Sequence, residues 1–546
     1  MKRPFLVRLV WCASAATAVA LLLTNPLSAI GPRFRPDDPI ATEPDPRDAS
    51  KVQSFPIHLS WDLISSLFVK EGDRAPRHAQ DLNTIDEVPD SSWYTNRVGL
   101  SAADVARGPD TTDGPAGLWT IVAGKSEGVR PGFTIRDSAG ILWFIKFDAP
   151  GYPEQSTGAE VVSTKLFWAL GYDVAETHVA KIWRQNVALS PDAGIAINGR
   201  RRRMTDSDVD RVFAQSERGH DGSYRALASK ALDGKPVGEF LYYGTRADDP
   251  NDVVPHENRR ELRAMGVFAA WIDRVDAKAG NTLDTLVTLD DGRAVVRHHP
   301  LDFGSTLGSG GDEPNEWWEG YEYLYSGKSL ARKMAGFGFP IESWRTIRYP
   351  NIRGVGKFEA DHFDPDAWRS RVPNEAYVRA DEDDKFWAAR KLMAISADMI
   401  AAAVRSGGYS DKSAEDYLTR TLIERRAAIL RRYLPAANPI VAPALDDGIL
   451  TFENEAVVAD VAKAPEVYRA TWYSFENGTG SSLMLGTTES RGTIMATPID
   501  LNDEAGSFAR VDIDATSAEH LSWSKPVSAY FRRDDVGWRL VGIDRQ

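Results

Sequence analysis

Two short polar segments, separated by an apolar hairpin pattern, carry side chains suited to group transfer. The first reads Asp276-Ala-Lys278-Ala-Gly-Asn281, and the second begins at Asp302 with Asp-Phe-Gly, at the end of a strand-like run. Asp276 can accept or orient the proton of an attacking hydroxyl, and Lys278 can neutralise a transferring phosphoryl group. Asn281 and Asp302 offer hard oxygen ligands of the kind that Mg²⁺ or Mn²⁺ takes. A solvated turn with an Asx motif is the alternative for the first segment.

A lysine and a glutamate further upstream complete the set. Lys146 ends Phe-Ile-Lys on the third strand of a predicted sheet, where a fixed cation can face nucleotide phosphates. Glu160 lies in the first turn of the next predicted helix and would orient that ammonium. Taken singly, the two residues are equally an edge-strand lysine and a helix-dipole glutamate. Lys125, in the glycine-bearing loop 124–128, is a further candidate for phosphate contact.

Hydrophobic periodicity indicates the elements that must position these residues. Apolar alternation predicts strands over 119–123, 132–136, 141–147 and 174–182, and a hairpin over 283–289 and 294–298. Helical spacing predicts helices over about 158–170, 257–272, 384–404 and 414–432. Residues 185–235 are polar and irregular, which favours an insertion. A proline-rich linker at 435–443 precedes a strand-rich region from about 445 onward.

The polar set resembles that of the protein-kinase-like superfamily, and in particular its divergent HipA-like, CotH-like and secretory-pathway branches. The resemblance spans roughly residues 117–435 and rests on five residues: Lys146, Glu160, Asp276, Asn281 and Asp302. It implies a two-lobed α+β fold, with an N-lobe at about 117–185, a C-lobe at about 236–435, and ATP with Mg²⁺ or Mn²⁺ in the cleft between them. It implies no particular substrate.

The chain departs from the family pattern in several places. No G-x-G-x-x-G lies between the first strands, and Arg274-Val275 stands where His-Arg normally precedes the catalytic Asp. The first departure leaves phosphate contacts to Lys125 or the loop backbone, and the second puts control through that arginine in doubt. Phe144 occupies a position where a small residue normally admits adenine, which leaves the identity of the nucleotide open.

Length and composition bound the class of protein. The chain has 546 residues, of which 42% are apolar, so it can form sizeable cores in several domains. A formal charge of −13 argues against nucleic acid as a general partner. The one basic run, Arg200 to Arg203, is predicted to lie on a solvated loop or hairpin, with a phosphate or anionic-lipid contact as the alternative.

The N-terminus has the layout of an export signal. Lys2, Arg3 and Arg8 precede an apolar stretch over 9–23, and a small residue follows at Ala29. Cleavage after Ala29 predicts a periplasmic or extracellular protein, and an uncleaved inner-membrane anchor over 5–23 is the alternative. The only cysteine, Cys12, lies in this segment, so residues 30–546 contain no disulfide, no thiol nucleophile and no Cys–zinc site.

Three further clusters could have either a functional or a purely structural role. The acidic run from Asp248 to Glu257 is a candidate Ca²⁺ site, but its spacing matches no EF-hand and favours a turn that caps the next helix. The aromatic stretch 316–323 is predicted to be either an acceptor platform or buried packing. His298 and His299 have no third ligand in register, which indicates structural roles.

Taken together, these patterns predict an exported kinase-like phosphotransferase, with a signal or anchor at 1–29, an N-terminal extension at 30–116, a kinase-like domain at 117–435 and a small β domain at 445–546. The acceptor, whether protein, glycan or small molecule, is not predicted. Two alternatives stay open: a catalytically silent pseudokinase that acts as a scaffold, and a kinase-fold enzyme that transfers AMP.

Overall fold

The computed structural model describes residues 31–545, except for 55–56, 58, 126–129, 198–199, 337–341 and 499–500. The predicted export signal and its cleavage after Ala29 therefore lie outside the described residues, as does most of the loop at 124–128. Residues 31–118 form the N-terminal extension, which contains α1 (Leu59–Phe68) and α2 (Ala102–Arg107). The helix α2 begins with a capping box between Ser101 and Asp104.

A mixed sheet of seven strands forms the upper lobe, which spans residues 119–230, with strand order β4-β7-β3-β2-β1-β5-β6. Its strands are β1 (Trp119–Gly124), β2 (Gly132–Arg136), β3 (Leu142–Phe147), β4 (Thr177–Ile182), β5 (Val187–Ile197), β6 (Arg200–Arg203) and β7 (Tyr224–Lys230). Along β3, Trp143, Ile145 and Phe147 are buried, whereas Phe144 and Lys146 face the other side of the sheet.

Two helices accompany this sheet, α3 (Gln155–Ala169) and α4 (Asp206–Ala214). The helix α3 begins three residues earlier than predicted, so Glu160 lies in its second turn rather than its first. Nearly the whole of α3 is buried, including Glu160, which is 3% exposed. A helix-dipole role at the solvated first turn therefore does not explain Glu160.

The upper lobe extends well past residue 185, where the sequence pattern placed its end. The supposed insertion supplies β5, β6 and α4, and its strand β7 pairs between β3 and β4 within the sheet. The core of β7 is Ala226, Leu227 and Ala228, all fully buried. Small alanines have weak strand preference, which explains why the pattern did not indicate a central strand. The basic run is β6, whose four arginines are exposed on a hairpin with β5.

The lower lobe spans residues 235–433. It contains a three-stranded sheet of β8 (Lys235–Gly238), β9 (Thr282–Thr288) and β10 (Ala294–Pro300), in the order β10-β9-β8. Its helices are α5 (Arg260–Ile272), α6 (Gly327–Ala335), α7 (Glu382–Met393), α8 (Ala397–Ser406) and α9 (Lys412–Tyr433). The single helix predicted over 384–404 is two helices, because Ser396 caps α8 by accepting from the amide of Met399.

The C-terminal region is β-rich and packs on the rest of the chain. Its elements are β11 (Ile440–Asp446), β12 (Ile449–Asn454), α10 (Glu455–Val458), β13 (Val467–Glu476), β14 (Ser481–Ser490), β15 (Ile494–Ala496), β16 (Phe508–Thr516), β17 (Val527–Arg533) and β18 (Trp538–Arg545). They form one sheet of three strands and one of five. The strand β11 begins inside the predicted linker, and its apolar residues join the core of the lower lobe.

The first and last described parts of the chain hold each other. Arg33 pairs with Asp544 at 2.6 Å, and Arg545 pairs with Asp86 at 2.9 Å. The amide of Ile543 donates to the carbonyl of Thr84. The N-terminal extension is therefore part of the folded body rather than a free linker. Within the described ranges, no helix combines the length and apolarity needed to cross a bilayer.

Candidate active site

A cleft lies between the upper sheet and the lower lobe, and the five residues predicted from sequence meet there. Lys146, near the end of β3, places its Nζ atom 3.2 Å from Glu160 Oε1 on α3. The same Nζ lies 3.0 Å from Asp302 Oδ1, which belongs to the segment after β10. One ammonium thus joins the central strand and the helix of the upper lobe to the lower lobe.

Arg130 is a second cation at this point, and the sequence pattern did not indicate it. Its guanidinium is 5% exposed and donates to Glu160 Oε2 at 2.7 Å, to Asp302 Oδ1 at 2.8 Å and to Ser156 Oγ at 2.7 Å. Burial alone would lower the pKa of Arg130, but the charges of Glu160 and Asp302 raise it above its usual value. Arg130 is therefore a permanently charged partner of both acids.

The glycine of Asp-Phe-Gly makes room for this arginine. A Cβ atom at Gly304 would lie 2.5 Å from a terminal nitrogen of Arg130, so any larger residue would displace the guanidinium. A sequence signal for Arg130 therefore existed in principle, but it lay in this distant glycine and in the position of an arginine directly before β2.

Only one carboxylate oxygen of Asp302, Oδ1, accepts hydrogen bonds from described residues. Its backbone is in the left-handed region, with φ of 56°, a conformation that aspartate tolerates better than most residues. Both cations contact Oδ1, no described residue donates to Oδ2, and the side chain is 45% exposed to the cleft. Burial would raise the pKa of Asp302, yet the charges of Lys146 and Arg130 hold it well below its usual value. An ionised oxygen therefore faces the cleft.

The segment after α5 holds the other predicted residues. Asn281 donates its amide to the backbone oxygen of Asp276 at 2.7 Å and to Asp276 Oδ2 at 3.0 Å. Lys278 Nζ lies 2.9 Å from Asp276 Oδ1. No described residue donates to the amide oxygen of Asn281, so this oxygen can serve as a ligand. Arg371, which the sequence pattern also missed, reaches to 3.7 Å from Asp276 Oδ2 and pairs with Glu319.

Arg274 links the two polar segments from below. Its buried guanidinium donates to the carbonyls of Leu301 at 2.8 Å and Asn281 at 3.3 Å, and lies 4.7 Å from the ring centre of Phe303. Phe303 in turn packs at 4.7 Å on Phe167 of α3, the helix that carries Glu160. Arg274 therefore stabilises the relative position of the segments from inside the core, a role that leaves it unexposed to solvent.

Two adjoining cavities open onto these residues. The first has a volume of about 330 Å³ and a mainly apolar wall that includes Phe144, Leu232, Leu283 and Leu301. The second has a volume of about 510 Å³ and is lined by charged residues from both lobes and by residues of α1. Both cavities share four lining residues: Lys125, Lys146, Gly280 and Asp302. Phe144 is 47% exposed and forms part of the apolar wall.

Lys125 lies where the two cavities meet. Its ammonium donates to the carbonyl of Arg130 at 2.8 Å. Burial first, and then the positive charges of Arg130 and Lys146, lower the pKa of Lys125 from its ordinary value to about 8. This cation therefore titrates close to neutral pH.

The remaining candidates are engaged in internal contacts. Asp252 pairs with His256 at 2.8 Å and accepts from the amide of Arg246, so it holds its own turn together. His298 pairs with Asp284 at 2.7 Å and stacks on Trp93. These contacts give both groups structural roles.

The aromatic stretch after Asp-Phe-Gly is divided between surface and interior. Trp317 is 44% exposed, whereas Tyr321 stacks near Trp344 and donates to Glu359. Its buried Glu319 pairs with Arg371, which connects this stretch to Asp276.

Two features elsewhere contain none of the five predicted residues. A cavity of about 830 Å³ lies between residues 38–47 of the extension and the β9–β10 hairpin. A surface group of His78, Asp381 and Asp383 has metal-ligand chemistry, but Asp381 already caps α7 through two backbone amides. Neither feature adjoins the cleft.

No family model matches the chain, and no curated protein matches it. Among solved structures, it is similar to the Helicobacter pylori proinflammatory kinase CtkA, with 14% identity, 56% of this chain and 90% of that chain covered, and a TM-score of 0.29. It is also similar to a Golgi casein kinase, with 11% identity, coverage of 72% and 95%, and a TM-score of 0.30.

The chain has a two-lobed α+β fold. An ion-paired lysine and glutamate from the upper lobe meet an Asp, an Asn and a second Asp from the lower lobe in one cleft.

Proposed function

We propose that this protein is a phosphotransferase that moves the γ-phosphoryl group of ATP to a hydroxyl acceptor. The observation that supports the proposal is the convergence of Lys146, Glu160, Asp276, Asn281 and Asp302 on one cleft. Transfer of a phosphoryl group requires mainly positioning and charge stabilisation, and these residues supply both.

The apolar cavity suits a nucleotide base. Its walls are Phe144 from the upper sheet and Leu283 and Leu301 from the lower lobe, which would enclose a flat ring from two sides. Leu232 lies in the segment that connects the last upper strand, β7, to the first lower strand, β8. A nucleotide whose base binds there would direct its phosphates toward Lys125 and Lys146, which line both cavities.

The donor set of the polar cavity fits Mg²⁺ or Mn²⁺. Asn281 contributes an amide oxygen and Asp302 an ionised carboxylate oxygen, and hard oxygens of this kind are the ligands these cations take. When bound, such a metal neutralises phosphate charge in the ground and transition states. Lys146 and Arg130 keep Asp302 oriented for this purpose by holding its other oxygen.

Asp276 is the candidate acceptor of the hydroxyl proton. Its carboxylate opens onto the same cavity and is oriented by Asn281 and Lys278. As the hydroxyl attacks, its proton passes to a carboxylate oxygen of Asp276. Lys278 lines the same cavity, where its ammonium would stabilise negative charge on the phosphoryl group.

A binding protein without turnover is the second candidate, and one observation favours it. Arg130 and Lys146 already neutralise Asp302 and Glu160, so the cleft is electrostatically balanced before any metal enters. Such a cleft can hold a nucleotide without a metal ion. The two candidates therefore differ in metal dependence and in turnover.

A labelling experiment tests the proposal. The full chain is incubated with ATP labelled at either the γ- or the α-phosphate, with Mg²⁺, with Mn²⁺ or with excess chelator. The proposal expects metal-dependent release or transfer of the γ-label, reduced by roughly 10²-fold or more in Asp276→Asn. The exposed turn variant Asp290→Asn serves as the matched control. Covalent incorporation of the α-label would support AMP transfer instead, and binding without release of either label would support the scaffold.

We also propose that the protein is exported. The support is the sequence of residues 1–29, with its basic, apolar and small-residue order, and the absence of cysteine from residues 30–546. The acceptor would then be met outside the cytoplasm, and a membrane-anchored form would retain residues 5–23.

A further inference from the structure

We propose that Ser60 is an acceptor of this site, and that the chain phosphorylates its own N-terminal extension within one molecule. The inference rests on the proposed function and assigns it a first substrate. It follows from where α1 lies, from how α1 is held there, and from which of its hydroxyls is free.

The helix α1 forms one wall of the polar cavity. Four of its residues line the cavity: Leu59, Ser60, Asp62 and Leu63. Asp276, Lys278, Asn281 and Asp302 line the same cavity. Leu59 rests against the turn between Asp276 and Asn281, since a Cβ atom at Gly280 would lie 3.6 and 3.8 Å from its two methyl carbons. A segment of the extension thus lies in the polar cavity, beside the turn that carries the candidate base.

Contacts on both sides hold α1 in this position. Tyr243 donates to Asp62 Oδ1 at 3.2 Å, and the ring of Phe68 lies 5.0 Å from that of Tyr325. Just beyond the helix, the amides of Glu71 and Asp73 donate to Glu375 and Glu257 of the lower lobe. The approach of α1 to the cleft is therefore fixed by the fold, which supplies the proximity that an intramolecular acceptor needs.

Ser60 is the serine of α1 whose hydroxyl has no hydrogen-bond partner within the described part of the chain. Ser65 and Ser66 donate to the carbonyls of Asp62 and Leu63 in their own helix, at 3.1 and 2.9 Å. Ser60 is exposed and forms no side-chain hydrogen bond with any described residue. Another serine on the cavity wall, Ser305, donates to the carbonyl of Gly310 at 3.4 Å. Of the two serines that line the cavity, only Ser60 has a hydroxyl with no hydrogen-bond partner among the described residues.

The charges around Ser60 suit the product as well as the reaction. Lys278 and Arg371 line the same cavity and can pair with a phosphate. Ser60 is also in the first turn of a ten-residue helix, where the helix dipole favours negative charge. Both effects stabilise phosphoserine at this position relative to positions 65 and 66, which lie further along α1.

The step balances without a further reactant. The Oγ atom of Ser60 forms a new bond to the γ-phosphorus of ATP, and the bond from that phosphorus to the β–γ bridging oxygen breaks. ADP leaves with the electron pair, and the hydroxyl proton passes to Asp276. The products are phosphoserine at 60, ADP and one proton.

Mass spectrometry of the full chain after incubation with ATP and Mg²⁺ or Mn²⁺ tests the inference. We expect one added phosphate, located at residue 60 by peptide fragmentation, and absent from Asp276→Asn. Ser60→Ala should lose this phosphate, and Ser60→Thr should regain it as phosphothreonine. Ser66→Ala, a helix serine whose hydroxyl is already engaged, should be labelled like the wild type. Thermal unfolding of each variant separates loss of the acceptor from loss of folding.

Dilution tests whether the reaction is intramolecular. The labelled fraction should grow at the same rate when the protein is diluted about tenfold, because the effective concentration of a tethered acceptor does not depend on bulk concentration. A rate that falls with dilution would overturn transfer within one molecule. Metal-dependent release of the γ-label with no phosphate at Ser60 would overturn the inference but leave the proposed function standing. Absence of both release and transfer would overturn the two together.

Discussion

Replacing Arg130 by methionine tests how the cleft is held when no ligand is bound. Arg130→Met keeps a flexible side chain but removes a buried charge and three donated hydrogen bonds. Glu160, which is 3% exposed, would then keep Lys146, at 3.2 Å, as its one charged partner among the described residues. Removing one partner of a buried ion pair typically costs about 3–5 kcal/mol, since the remaining charge stays desolvated.

The expected cost lies toward the lower end of that range. Asp302 is 45% exposed, so water can replace much of what it loses, and we assign it little of the total. Most of the loss of stability therefore arises from the unpaired charge of Glu160, and the remaining ion pair with Lys146 reduces this loss. We therefore expect Arg130→Met to lower the free energy of unfolding by about 3 kcal/mol. The assay is urea unfolding followed by tryptophan fluorescence, with the midpoint and slope compared between variants.

Arg136→Met is the matched control on the neighbouring strand β2. Arg136 is exposed, and its guanidinium donates to the carbonyl of Gly140. We expect its replacement to change the free energy of unfolding by no more than about 0.5 kcal/mol. The double variant Arg130→Met with Glu160→Gln should lose less than the sum of the single changes, because the two residues are in contact. Equal stability of Arg130→Met and Arg136→Met, or strict additivity in the double variant, would refute the buried cluster.

Three further predictions concern the ligand, pH and export. Asp302→Ala should weaken metal–nucleotide binding by about 10-fold or more and reduce transfer in parallel. The loss should be smaller in Lys146→Ala and smaller still in Glu160→Ala. Intact binding of Asp302→Ala in calorimetry would contradict the metal site. Raising the pH through about 8 should weaken nucleotide binding, because Lys125 then loses the charge that attracts phosphate. Lys125→Arg should remove this pH dependence. If the nucleotide affinity of the wild type does not change with pH, Lys125 takes no part in binding. Fusion of residues 1–40 to a reporter that is active only after export should give an active reporter, and a silent one would overturn the predicted localisation.

Local patterns were sufficient for the elements nearest the chemistry. The strands around Lys146 and the β9–β10 hairpin follow from alternation and turn residues. The sequence also placed the five residues on the elements where the structure has them. Their roles in binding and transfer stay predictions until the variants are measured.

Features that depend on distant contacts could not be predicted in this way. Arg130 contacts Asp302 across 172 residues of sequence, and its position is possible only because residue 304 is glycine. The strand β7 has a core of alanine and leucine that becomes recognisable only once its neighbours β3 and β4 are paired. The place of α1 in the cleft depends on tertiary contacts with Tyr243 and Tyr325, which no local period encodes.

A crystal structure of the full chain with Mn²⁺ and a non-hydrolysable ATP analogue tests the central claim most directly. Anomalous scattering would locate the metal independently of the nucleotide. We predict that the metal is bonded to the amide oxygen of Asn281 and the carboxylate of Asp302, with the base in the apolar cavity beside Phe144 and the γ-phosphate facing Asp276. A nucleotide bound without metal, or bound with its α-phosphate nearest Asp276, would contradict phosphoryl transfer at this site.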